Sequence, residues 1–273
     1  MTEPLNPELL QLGGSAVADE LREVIEGAIL NHPRSLQSAI GPSEIGGACA
    51  RKIGYKLLGW PDPPRVNWAA TIGTAVHAWM ENTFDLDNVA RAPHLGGQER
   101  WYIEERVTVG YVPGMGFITG SCDLYDRITG TVIDWKVVGP TQLRKYKSQG
   151  PSAQYRGQAH LYGQGWANRG LPVSQVMICF LPRNGSLEEA YIWSEPWQPA
   201  VAKAALDRLA RISQTCTEHG EDAPALLETA ETYCGHCPYF KAGSADPRQG
   251  CPGDPASPLH NPQPALTLAP AAS

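Results

Sequence analysis

The stretch Thr131-Val132-Ile133-Asp134-Trp135-Lys136-Val137-Val138 sets an acid and a base inside an apolar, β-branched run. Such a run reads as a buried strand. Alternation along a strand puts Asp134 and Lys136 on one face. Charges are costly to bury there unless they pair or bind a metal. Just upstream lies Gly120-Ser121-Cys122-Asp123-Leu124-Tyr125. If Arg127-Ile128-Thr129-Gly130 forms the turn, Asp126 faces Thr131 and Asp123 faces Asp134. Opposed strand residues have Cβ atoms about 5 Å apart. Carboxylates that close repel unless a proton or a cation lies between them. Oxygen ligands suit magnesium or manganese. A surface hairpin with solvated aspartates is the plainer alternative, but it leaves charges embedded in Val/Ile sequence unexplained.

Helical residues add to this group. His77 lies in Thr71–Glu81, where Gly73 and Ala75 would let a helix approach a sheet and bring the imidazole in as a third ligand. Glu81, one turn on, could orient His77, although a solvated position is the simpler expectation. Gln158 and Tyr162 share a helical face at i, i+4 and can both hydrogen-bond phosphate oxygens. From Trp135 to Leu187 the chain has no Asp or Glu but has Lys136, Arg144, Lys145, Lys147, Arg156, Arg169 and Arg183. That asymmetry suggests an anion-binding face. The alternative is a solvated surface whose counter-charges come from elsewhere.

There are seven cysteines. Cys122 and Cys179 fall in apolar strand-like runs and read as core; Cys216 falls late in a helix. Cys49, Cys234, Cys237 and Cys251 lie in polar or Gly/Pro contexts and are ligand candidates. Four thiolates can hold a four-iron four-sulfur cluster or a structural zinc. The N-terminus has no secretory pattern, so the cytoplasm is expected. A reducing compartment disfavours disulfides.

The elements that must position these residues follow from periodicity. Helices are expected near 16–31, 50–58, 68–84, 140–148, 152–168 and 197–218. Strands are expected near 101–109, 117–125, 131–138, 173–181 and 187–193, the last two joined at Asn184-Gly185. The 273 residues, 42% hydrophobic and 18% charged, are enough for a substantial core and exclude a wholly disordered chain. No apolar run reaches the length of a membrane span. The net charge of −6 argues against a histone-like binder. These elements suggest one α/β domain. It spans 16–252, between a flexible lead-in (1–15) and a disordered Pro/Ala tail (253–273), with a cysteine subdomain from about 41–60 and 230–252.

In chain order stand a helix His, a Gly-x-x-Asp, a strand Asp-x-Lys and a helix Gln-x-x-x-Tyr. This set resembles the PD-(D/E)XK nuclease superfamily, in its RecB-like exonuclease branch. Ser43–Tyr55, with Cys49, resembles the N-terminal cysteine segment of that branch's iron–sulfur members, the AddB nuclease domain and the CRISPR-associated RecB-like exonucleases. The resemblance implies a restriction-endonuclease-like mixed sheet flanked by helices, with an iron–sulfur subdomain built from Cys49, Cys234, Cys237 and Cys251. It implies metal-dependent DNA exonuclease activity in recombination, repair or phage DNA processing. His77, Asp123, Asp134 and the Trp135 carbonyl would hold Mg2+ or Mn2+, and Lys136 would act on the attacking water. Gln158 and Tyr162 would hold the strand, and Arg51, Lys52, Arg144, Lys145, Lys147 and Arg156 would contact DNA. No Walker-type phosphate loop occurs, so any helicase or single-strand annealing partner would be a separate protein. Two alternatives stay open: zinc at the cysteines, and a non-catalytic, metal-stapled DNA-binding module.

Overall fold

The computed structural model describes residues 14–33, 39–230 and 234–256. The lead-in before residue 14 and the tail beyond 256 lie outside the described residues. A five-stranded mixed sheet has the order β1 (Trp101–Val112), β2 (Gly116–Asp126), β3 (Thr131–Val138), β4 (Gln175–Pro182) and β5 (Tyr191–Pro196). All neighbours are antiparallel except β3 and β4, which are parallel. Parallel neighbours need a long crossover, and α5 (Pro140–Gln149) and α6 (Ala153–Asn168) supply it.

Strand alternation sorts the core into two faces. Val132, Val176, Ile178 and Phe180 join a cluster with Leu161 and Trp166 of α6 and Leu209 and Ile212 of α7 (Pro199–His219). Leu124, Ile133, Trp135 and Leu181 face the other way, toward Val76, Met80 and Phe84 of α4 (Trp68–Arg91). α4 outruns its expected end at 84 by two turns. Its Asn88 amide accepts from the N–H of Arg100 and Trp101 and donates to the Trp101 carbonyl at 2.8 Å, which ties the helix end to β1.

α1 (Gly14–Leu30), α2 (Pro42–Ile45), α3 (Ala50–Leu57) and α8 (Ala223–Leu226) complete the set of α-helices among the described residues. Among these residues, no helix is long and apolar enough to cross a membrane. One strand departs from expectation. Residues 187–189 form a 3-10 turn, with the Ser186 hydroxyl accepting from the Glu188 N–H, so the last strand starts only at Tyr191.

α6 is the helix that positions the most chemistry, and its glycines set how closely it packs. A Cβ on Gly163 would sit 2.4 Å from Cδ1 of Trp197, and one on Gly165 would sit 2.5 Å from Val107. Gly163→Ala should therefore overpack this contact and destabilise the protein by about 1–3 kcal/mol. Thermal unfolding monitored by circular dichroism checks this, with Ala167→Gly on the same helix as a control for backbone effects.

Candidate functional site

β2 and β3 hold the register the turn implied, Asp126↔Thr131, but their ladder ends at Leu124↔Ile133. Beyond it the Asp123 carboxylate takes the place of a backbone acceptor: Trp135 donates its N–H to Asp123 Oδ2 at 2.8 Å. The acid is thereby fixed by the strand that carries Asp134 and Lys136. On the α4 side His77 Nδ1 lies 3.5 Å from Asp123 Oδ1 and 3.7 Å from Glu104 Oε1. His77, Glu104 and Asp123 each offer a ligand atom, and these atoms lie within 4.8 Å of one another. Ligands about 2.1 Å from one ion stand about 3–4 Å apart. One imidazole and two carboxylates at this spacing fit a divalent cation.

Glu104 is the candidate ligand that sequence reading missed. Its φ is +48°, in the left-handed region that costs a non-glycine residue about 1–2 kcal/mol. Strand alternation through Tyr102–Arg106 gives no sign of this turn of the backbone. The adjacent pair Glu104-Glu105, opposite an Asp-bearing strand, was the available signal. Glu81 is exposed, as the simpler expectation had it.

Asp134 stands just outside that group of three. It is buried; its Oδ1 accepts from Gln158 Nε2 at 2.8 Å, and its Oδ2 forms an ion pair with Lys136 Nζ at 2.7 Å. Oδ2 has no well-directed hydrogen-bond donor, so it keeps acceptor capacity. The Lys136 ammonium also lies 4.8 Å from the centre of the Tyr155 ring. Burial first, and then Asp123, pushes the Asp134 carboxyl up to about 6 against the pull of Lys136. Burial would raise Asp123 as well, but His77, Lys136 and the Trp135 N–H hold it below the ordinary carboxylate range. Tyr162 is buried on the same face of α6 as Gln158. Burial, with Asp134 and Asp123, raises its hydroxyl pKa, so it stays a neutral donor.

The positive window divides. Arg156 pairs with Glu195, which also accepts from His160 Nε2; Arg169 pairs with Glu105. The Gln198 N–H donates to His160 Nδ1, which leaves Nε2 as the protonated nitrogen. Arg144, Lys145 and Lys147 are exposed on α5, with no carboxylate in ion-pair range among the described residues. Two of the seven cations of the expected strip thus have counter-charges supplied by β1 and β5, which the linear window could not display.

The four candidate cysteines converge. Cys49, Cys234, Cys237 and Cys251 line one small cavity. Gly253 and Asp254 line it too, so ordered structure passes the expected start of the tail. Arg208 of α7 fixes the approach to Cys49 by donating to the carbonyls of Ile45, Gly47 and Ala48. The Tyr55 hydroxyl donates to the Pro247 carbonyl at 2.6 Å, and the Cys251 N–H donates to the Tyr239 carbonyl at 2.8 Å. Among the described residues, no three of these thiols lie within 4.8 Å of one another. Tetrahedral zinc, with Zn–S near 2.3 Å, needs sulfurs about 3.8 Å apart. Lys52 lines this cavity, and its charge opposes the upward push of burial on the Cys237 thiol; Arg51 is half-buried beside Tyr55.

No protein-family model matches the chain, and no curated protein does. Solved structures similar to it include SSO0001, with 14% identity over 82% of this chain and 94% of that one, at a TM-score of 0.40. An alkaline exonuclease from Laribacter hongkongensis gives 12% identity over 75% and 95%, at 0.41. A phage-related exonuclease from Haemophilus somnus 129PT gives 15% identity over 66% and 95%, at 0.42. At such scores the chemistry must be argued from this chain's own residues.

A carboxyl raised to about 6 holds its proton below that pH and is charged above it. Manganese affinity should therefore weaken as pH falls through 6, by up to about tenfold per unit for one displaced proton. Isothermal titration from pH 5 to 8 checks this, and Asp134→Asn should flatten the profile.

Proposed function

We propose that this protein is a divalent-cation-dependent DNA exonuclease of the PD-(D/E)XK type. The observation that carries the reading is the convergence of His77, Glu104 and Asp123 beside the buried Asp134–Lys136 pair, where β2 and β3 part. A divalent cation held by His77, Glu104 and Asp123, with Asp134 adjoining, would supply a water of lowered pKa and neutralise charge building on a phosphate. Lys136, anchored by Asp134, points its ammonium at the same place. There it can orient the attacking water by accepting no proton and offering several, and it steadies negative charge on the phosphate oxygens. Gln158 fixes the Asp134 carboxylate through its amide N–H, so the lysine is held in one position. Tyr162 keeps its proton and can donate to a phosphate oxygen. Arg144, Lys145 and Lys147 offer backbone contacts that read phosphate rather than sequence.

Cys49, Cys234, Cys237 and Cys251 hold an iron–sulfur cluster in this reading. Their convergence on one cavity supports it. Bonds between residue 49 and residues 234–251 would close a very long loop and tie α3 to the C-terminal segment.

Linear DNA labelled at either end should be degraded with manganese and left intact with EDTA, while covalently closed circles resist. Lys136→Ala should lower the rate on the order of 10²–10³-fold with metal binding retained. A folded wild-type protein inert on every DNA end would overturn the reading. Anaerobically purified protein should be brown, with several iron atoms per chain, and Cys234→Ala should lose the colour and melt earlier. A colourless protein holding one zinc would overturn the cluster assignment.

A further inference from the structure

The β1–β2 hairpin turns one face to the core and leaves the other bare. Val107, Val109, Ile118 and Cys122 are packed in the cluster that includes Trp166 and Leu209. The opposite face carries Phe117, Thr119, Ser121 and Asp123 at two-residue spacing along β2. Across from them the register sets Tyr111 against Phe117, Thr108 against Thr119 and Arg106 against Ser121. The strip therefore runs straight into the acid cluster at one end. At its far end the Tyr111 and Phe117 rings meet edge to face, with centroids 5.4 Å apart. They are 61% and 74% exposed, an unusual place for two paired aromatics unless something stacks on them.

The chemistry between the two ends fits a nucleic-acid strand. The side chains there are three hydroxyls and one cation, Arg106, whose guanidinium donates to Thr119 Oγ1 at 2.9 Å. Among the described residues no carboxylate lies in ion-pair range of Arg106, and no acid stands on the strip before Glu104 and Asp123. Hydroxyls and arginine contact phosphate and sugar, and exposed aromatics stack bases without regard to sequence. Six residues at about 3.4 Å each put Phe117 roughly 20 Å from Asp123, a reach of several nucleotides.

We propose that this bare hairpin face is a track for single-stranded DNA leading to the acid cluster, with Tyr111 and Phe117 as its stacking platform. The inference rests on the nuclease reading for the identity of the strand, and its test is separable from that reading. Binding is measured by fluorescence anisotropy in EDTA, so that nothing is cut, on an oligothymidylate of about 15 nucleotides that can cover strip and site together. Tyr111→Ala and Phe117→Ala should each weaken binding on the order of tenfold, and the double variant about a hundredfold. Phe117→Trp should restore it, while blunt duplex of the same length is affected far less. Circular dichroism confirms folding. Photocrosslinking of 5-iodouracil DNA to the wild-type protein should label the peptides of the 111–117 hairpin, which guards against a variant that misfolds.

A double variant that binds the single strand like wild type, in a protein that degrades DNA, overturns the track and leaves the nuclease reading standing. Ring-dependent binding in a protein that cuts no DNA does the reverse. If the double variant instead turns a dimer into a monomer with DNA binding unchanged, the rings serve self-association and the proposal fails.

Discussion

The structure turns on the cost of placing two carboxylates and an ammonium inside a β-sheet. Asp123 and Asp134 are almost fully buried, with the apolar side chains of Leu124, Ile133 and Trp135 as their chain neighbours. Desolvation alone would protonate both acids. The fold answers with fixed partners: the Trp135 amide and His77 for Asp123, Lys136 and Gln158 for Asp134. The partners come from three elements, so α4, α6 and β3 must all be in place around β2 before the charges are tolerable. One acid ends up low and its neighbour high. A cation bound at such a divided pair, as proposed, would offset both the burial and the neighbouring charge that raise the second carboxyl.

α6 carries that arrangement to the rest of the molecule. Its inner face presents Gln158 and Tyr162, and its glycines let it lie close to β1 and Trp197. Its first turn abuts the loop before the cysteines: a Cβ on Gly46 would stand 2.8 Å from the Gln154 backbone, and Gln154 donates to the Ser43 carbonyl at 2.6 Å. The same loop is gripped from behind by Arg208. The loop that leads to Cys49 thus rests on the helix that carries Gln158 and Tyr162, although no residue of that helix lines the cysteine cavity. The proposed staple at the cysteines would act on that loop, and through it on chemistry it does not touch.

Much of this was legible along the chain because it depends on local periodicity. Alternation alone put Asp134 and Lys136 together. A tight turn after Asp126 gave the register. Small residues in 71–78 indicated that His77 could come near a sheet. Helical spacing found α1, α3, α5, α6 and α7 within a residue or two, and four polar-context cysteines were singled out as a set. Where local signals competed, the reading slipped: Leu187 looked like strand, but the Ser186 cap drew the chain into a 3-10 turn first.

The sequence by itself determined which side chains are chemically expensive and which elements carry them, since those properties follow from residue type and from periods of two and 3.6. Only the tertiary structure decided who meets whom. Glu104 joins His77 and Asp123 because a left-handed residue turns it out of the alternation of β1. Asp134 stands beside that group, and not within it, because Lys136 and Gln158 hold both of its oxygens. Arg156 and Arg169 lose their place on the basic strip to Glu195 and Glu105, brought in from strands far away in sequence. Such pairings are set by the packing of distant elements, and a one-dimensional pattern holds no information about distances across a sheet.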